Sequence, residues 1–188
     1  MAIEFYNEIK SELQTLGFEI TNEDLNRPWG AFFYINENQA QEFSDRFFGG
    51  LDVNMLKISG KLSPKILMVK PNVKLSWQYH NRRAEIWPVY KGAVGVIQSP
   101  TDKQGPIEVF NPGDQIKLQQ GIRHRLVGLK DFGVVAEIWQ HTETIPSDED
   151  DIIRVKDDFG RYTKVMLELF NPKQIKKALL KYSVPGIK

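Results

Sequence analysis

Three histidines occur in the 188 residues, and one of them stands in LSWQYHNRRAEIWPVYKG, residues 75–92. Gln78 and His80 are two apart. On an extended strand they share a face with Ser76, while Trp77 and Tyr79 share the other. Glu85 follows NRRA, and a hairpin turn there would bring it back beside His80 or Gln78. His124, in QQGIRHRLVG, opens a further strand after Gly121. Imidazole, carboxylate and amide oxygen together suit one borderline divalent ion, Zn first, with Mn, Fe, Co or Ni as alternatives. Three or four protein ligands with open positions would make such a site catalytic rather than structural. A lone strand histidine is more often an ordinary side chain, and His141 is read in that way, as a strand-end surface residue. There is no cysteine, so thiolate ligands and disulfides are excluded.

The elements that must carry these residues are short. From Lys65 onward, KILMVK, KLSWQYH, AEIWPVYKGAVGVIQ, IEVFNPGDQIKL, HRLVGL and GVVAEIWQH form β-rich runs. Gly, Pro, Asn and Asp punctuate them, the pattern of an all-β sandwich or barrel. Ahead of them, Ile3, Phe5, Tyr6, Ile9, Leu13 and Leu16 approximate a helical stripe within residues 1–17, with Gly17 as its stop. NRPWGAFFYI reads as a turn and an aromatic strand, and residues 36–54 as loop or short helix. NPKQIKKALLKY predicts a C-terminal helix over 171–183, with Asn171 as cap and Pro172 at its first position. The expectation is one domain over 1–188: a barrel over about 25–161 with a helical arm at each end.

Twenty-five basic residues balance 24 acidic ones, which gives no electrostatic case for nucleic acid or an anionic membrane. No apolar run reaches the roughly 18 residues of a membrane span, and the charged N-terminal stretch does not read as a signal peptide. A cytoplasmic location is the expectation.

The joint spacing carries a resemblance. His80, four residues, Glu85, six residues, Gly92 is similar to the second half of the first cupin motif. Gly113, five residues, Gln119, one residue, Gly121, two residues, His124 is similar to the second motif. More narrowly, RPWG (27–30), LSWQYHNRRAEIW (75–87), GIRHRL (121–126) and EDDIIRVKDDFGR (149–161) resemble, in order, the type II mannose-6-phosphate isomerase group. That group occurs alone or as the C-terminal domain of bifunctional mannose-1-phosphate guanylyltransferases. The chain departs from the pattern at Asn81 and Arg82, where further histidines are usual, and at Asn72, Gln119 and Gly128. Asn72 replaces a turn glycine, and asparagine tolerates left-handed backbone.

The resemblance implies an all-β cupin jelly roll with flanking helices and Gln78, His80, Glu85 and His124 as ligands of one divalent metal. It implies aldose–ketose isomerisation of mannose 6-phosphate and fructose 6-phosphate through an enediol. The alternatives are a free-sugar isomerase of the lyxose or mannose type and a non-catalytic sugar-binding cupin. A metal-dependent dioxygenase ranks last, because a histidine more usually stands where Gln78 does. Such an isomerase needs a base, for which Glu137 in VVAEIWQ and Lys65 in SPKILMVK are the candidates, and a cation near the enediolate, expected at Arg125. Arg27, Arg83 and Arg161 are family-pattern arginines suited to a sugar phosphate. The expected partner is a small sugar or sugar phosphate, and a homodimer stays open. The acidic EDDIIRVKDD segment lacks the spacing of a calcium loop and reads as a lock on the barrel, pairing with arginines.

Overall fold

The computed structural model describes residues 2–56, 61–142 and 145–161, so the predicted helix at 171–183 lies outside the described residues. Helix α1 (Ala2–Thr15) ends at Gly17, whose φ of +87° is the left-handed stop. Two strands follow, β1 (Ile20–Arg27) and β2 (Gly30–Ile35), then helix α2 (Ala40–Phe47). The remaining strands are β3 (Lys65–Val69), β4 (Trp77–Tyr79), β5 (Arg83–Lys91), β6 (Val94–Ser99), β7 (Glu108–Phe110), β8 (Gln115–Leu118), β9 (Arg123–Gly128), β10 (Gly133–His141) and β11 (Ile153–Lys156). β1 escapes the sequence reading because its residues, ITNEDLNR, are polar. It is a half-exposed edge strand, with no apolar alternation to announce it.

Every strand pairing is antiparallel. One sheet runs β1-β2-β3-β10-β5-β8 and the other β11-β4-β9-β6-β7. The two face each other as a cupin jelly roll. The six-stranded sheet is covered on both sides, which is why β3 and β10 read as nearly continuous apolar runs. Its outer residues Ile66, Met68, Val134, Ala136 and Ile138 pack under α1 and α2, against Ile9, Leu13 and Phe43. Its inner residues Leu67, Val69, Val89 and Val135 meet Val96 and Leu126 of the opposite sheet. Residues alternate between the faces with period two. Tight turns hold the register. Gly92 (φ +66°) joins β5 to β6, and a Cβ there would stand 2.2 Å from the Phe132 carbonyl oxygen. Asn72 takes the left-handed conformation at φ 58°. Among the described residues, no helix is long and apolar enough to cross a membrane.

Candidate metal centre and cavity

The stretch that begins the site does not form a hairpin. β4 and β5 belong to opposite sheets, and the three-residue link His80–Arg82 steps between them. Strand pairing is therefore not what brings Glu85 to His80; closure of the sandwich corner is. Gln78 lies on the inner face of β4, paired in register with His124 of β9 on one side and Arg154 of β11 on the other. The Gly121 amide donates to the His80 carbonyl at 2.9 Å, which ties the start of β9 to the end of β4.

His80, Glu85 and His124 converge, with their ligand atoms all within 4.8 Å of one another. His80 Nε2 is 3.1 Å from Glu85 Oε1, and His124 Nε2 is 3.6 Å from Glu85 Oε2. All three are buried. The far nitrogen of each ring is taken by a main-chain carbonyl: His80 Nδ1 meets Asp151 O, and His124 Nδ1 meets Ile122 O at 3.0 Å. A carbonyl can only accept, so both rings carry Nδ1–H and turn Nε2 inward. Burial pulls the His124 imidazolium pKa down to about 4, against the opposing pull of Glu85, so the ring is neutral at pH 7. Burial alone would raise the Glu85 carboxyl, but contact with His80 and Arg83 holds it well below the usual carboxylate range. The diagnostic feature is at the centre. Glu85 Oε2 and His124 Nε2 are buried and have no hydrogen-bond partner. Two orphaned acceptors facing each other are costly unless something electrophilic lies between them. The donor set fits a divalent cation. Gln78 and Glu85 both line the neighbouring cavity, and Gln78 Oε1 accepts from Ser76 Oγ at 2.5 Å.

Beside this triangle lies a cavity of about 150 Å³ between the sheets. Trp29, Leu67, Leu75 and Trp87 give it apolar walls. Glu137 lines it from β10, receiving Lys65 Nζ and Trp139 Nε1 on Oε1 and Trp87 Nε1 on Oε2, each at 3.1 Å. Burial and the nearby Glu85 raise its carboxyl, with Lys65 opposing. A carboxylate offers about four lone-pair sites, so one on Oε2 stays open. Lys65 also lies over the faces of Tyr34 and Trp139 and 3.4 Å from Glu149. Burial would lower its pKa, but Glu137 and Glu149 push it above the ordinary lysine value. Lys65 is therefore held as a cation between two carboxylates, an arrangement that favours Glu137 over it as the proton acceptor.

The arginines separate by position. Arg125 does not reach the cavity. It follows His124 on β9, so it points to the outer face, where its Nε donates to Leu75 O at 2.8 Å and it pairs with Asp158 at 3.1 Å. Strand alternation, with no bulge at this point, is the physical reason. Arg83 lines the cavity but is committed: it bonds Glu85, Ser147 Oγ and Asp148 O, and stacks 4.0 Å over Trp139. Arg27 and Arg161 stand at the cavity with Arg154. Arg27 pairs with Asp24 at 2.8 Å, and Arg161 grips Asp157 through two nitrogens. Burial and the nearby Arg161 lower the Arg154 pKa, the mark of crowded positive charge.

The surface reading of His141 is also corrected. It is 2% exposed, bonded to Lys61 O and accepting the Ser147 amide at 3.1 Å. Cavity residues missing from the sequence reading are Arg154, Tyr34 and Glu149. Arg154 was legible as the register partner of Gln78 only once β11 was known to lie beside β4. Tyr34 and Glu149 meet at 2.5 Å across 115 residues, a contact no local pattern announces. The acidic segment does lock the barrel: Asp148, Asp157 and Asp158 pair with Arg82, Arg161 and Arg125.

A family model described as mannose-6-phosphate isomerase C-terminal matches residues 41–157. A mannose-1-phosphate guanylyltransferase of Salmonella montevideo is 25% identical over 153 residues, 81% of this chain and 26% of that protein. The xanthan biosynthesis protein XanB of Xanthomonas campestris pv. campestris is 26% identical over 162 residues, 85% of this chain and 28% of that protein. The chain thus spans about a quarter of the length of these curated relatives. Oxalate decarboxylase from Bacillus subtilis superposes with a TM-score of 0.52 at 14% identity, over 87% of this chain and 35% of that one, which is a likeness of fold alone.

Proposed function

The chain belongs to the mannose-6-phosphate isomerase C-terminal family, and from that premise we propose that it is a metal-dependent aldose–ketose isomerase of a sugar phosphate. Mannose 6-phosphate and fructose 6-phosphate are the leading pair. The observation that carries this reading is the buried triangle of His80, Glu85 and His124, with two orphaned ligand atoms, beside a cavity holding an acid with a raised pKa. A divalent ion held by these three residues, with Gln78 alongside, would polarise the carbonyl and hydroxyl oxygens of the sugar. Zinc is the leading candidate.

Glu137 takes the carbon-bound proton through its open Oε2 position and returns it to the neighbouring carbon. A carboxyl raised by burial is suited to both halves of that transfer. Trp87 and Trp139 fix its orientation through their indole N–H groups. Lys65, not Arg125, supplies the fixed positive charge beside the enediolate oxygens. Arg27, Arg154 and Arg161 at the cavity suit a phosphate, which guanidinium forks bind through paired hydrogen bonds. Three cavity guanidinium groups favour the phosphorylated substrate over a free sugar.

The test is turnover of mannose 6-phosphate and fructose 6-phosphate by metal-loaded protein, with free mannose and lyxose in parallel. Interconversion of the phosphates supports the reading. Turnover of the free sugars alone would move the substrate to the unphosphorylated class. Tight sugar-phosphate binding with no interconversion would leave a binding protein.

A further inference from the structure

His80 is held from behind by a segment 71 residues away in the chain, the strap from Pro146 to Asp151. Asp151 holds both His80 and the two residues that follow it. Its main-chain oxygen takes the ring Nδ1–H, which leaves Nε2 as the inward lone pair. Its carboxylate accepts the amides of the next two residues, Asn81 N at 3.0 Å and Arg82 N at 2.9 Å. The same carboxylate accepts Ser147 Oγ at 2.8 Å, and Ser147 Oγ in turn accepts from Arg83, the neighbour of Glu85 Oε1. Asp151 is 4% exposed. A buried carboxylate with three donors is a fixed point, and here it fixes the link between β4 and β5 on which His80 and Glu85 depend.

We infer that Asp151 is a positioning residue of the metal centre, setting the tautomer and aim of His80 and the spacing from His80 to Glu85. This rests on the metal-dependent reading above. The strap also bears Glu149, which reaches across the cavity to Tyr34 and Lys65. One short segment therefore ties the ligand side of the cavity to its acid–base side.

The experiment is Co²⁺ titration of metal-free Asp151→Asn, followed by visible absorption and compared with the parent chain. Asparagine keeps the main-chain oxygen and one side-chain acceptor but turns a donor toward one of the two backbone N–H groups, so the link must shift. The expected result is a 10- to 100-fold weaker Co²⁺ affinity and an altered Co²⁺ spectrum, the usual scale for removing a group that orients a metal ligand. Near-ultraviolet circular dichroism of the tryptophans, measured without metal, reports whether the fold persists. If Asp151→Asn does not fold, Ser147→Ala removes one donor from the same carboxylate and is expected to weaken Co²⁺ several-fold. Parent-like affinity and spectrum in a folded variant overturn the inference. A parent chain that binds no Co²⁺ overturns instead the metal-dependent reading on which it rests.

Discussion

Along β3, Val69 and Lys65 face the same interior, four residues apart; along β5, Val89 and Glu85 do so; along β9, Leu126 and His124; along β10, Val135 and Glu137. The same strands thus build an apolar half and a charged half of one sandwich interior. The backbone makes no distinction between them, since period-two alternation continues unbroken through each pair. What differs is how each side chain is satisfied. The apolar half is stabilised by area removed from water, roughly 25 cal/mol per Å². The charged half persists because most of its polar atoms have partners, while Glu85 Oε2 and His124 Nε2 face one another without one. Stability resides in one half, and chemistry in the atoms the other half leaves unsatisfied.

The sharpest way to separate the halves is Glu137→Gln. It keeps the shape and one of the two indole hydrogen bonds but removes the proton acceptor. Turnover is expected to fall by about 10²- to 10⁴-fold with metal content unchanged, read from steady-state rates and elemental analysis. Turnover within a few-fold of the parent would remove Glu137 from the reaction. The reverse perturbation is Leu126→Ala, two residues from His124. Chemical denaturation should show a loss of about 2–5 kcal/mol, while the folded variant keeps its bound metal. Metal loss in the folded variant would show that the halves are not separable.

Of the two halves, acid acts on the charged one. His124 in the metal-free fold titrates at about 4, against about 6.5 unfolded. Between those values the unfolded chain binds more protons, so stability falls as pH drops through the window. The contribution is full above about 6.5 and lost toward about 4, on the order of 3 kcal/mol. Protonation of Glu85, whose carboxyl is held low, acts in the same direction at lower pH. Urea midpoints of metal-free protein across this range check the slope, and His124→Ala should flatten it. The smallest effect is expected from Arg125→Met, on the far face of the strand that carries His124. Losing the bond to Leu75 O should cost about 1–2 kcal/mol of stability and leave turnover unchanged.

These faces also explain what the sequence disclosed. His80, Glu85 and His124 were legible because motif spacing encodes which strand positions turn inward. Arg125 was misread because adjacency in sequence means opposition on a strand. The acid–base side required tertiary knowledge. Lys65 and Glu137 are 72 positions apart and meet only because β3 and β10 pair in antiparallel register. The two carboxylates beside Lys65 come from residues 137 and 149, which no local pattern ties to it. β1 was hidden by its polar edge-strand sequence, and His141 by ligands that lie in loops. Composition and period reveal a face. They do not reveal which side chains from distant strands share it.

The central claim is that the orphaned atoms of the charged half hold a metal. Elemental analysis of the purified chain, beside His80→Ala and His124→Ala, tests it most directly. The expected result is about one divalent ion per chain in the parent, lost in both variants while their circular dichroism stays parent-like. Failure of the parent to hold any ion after reconstitution with Zn, Mn, Fe, Co and Ni, or equal metal content in all three proteins, would contradict it.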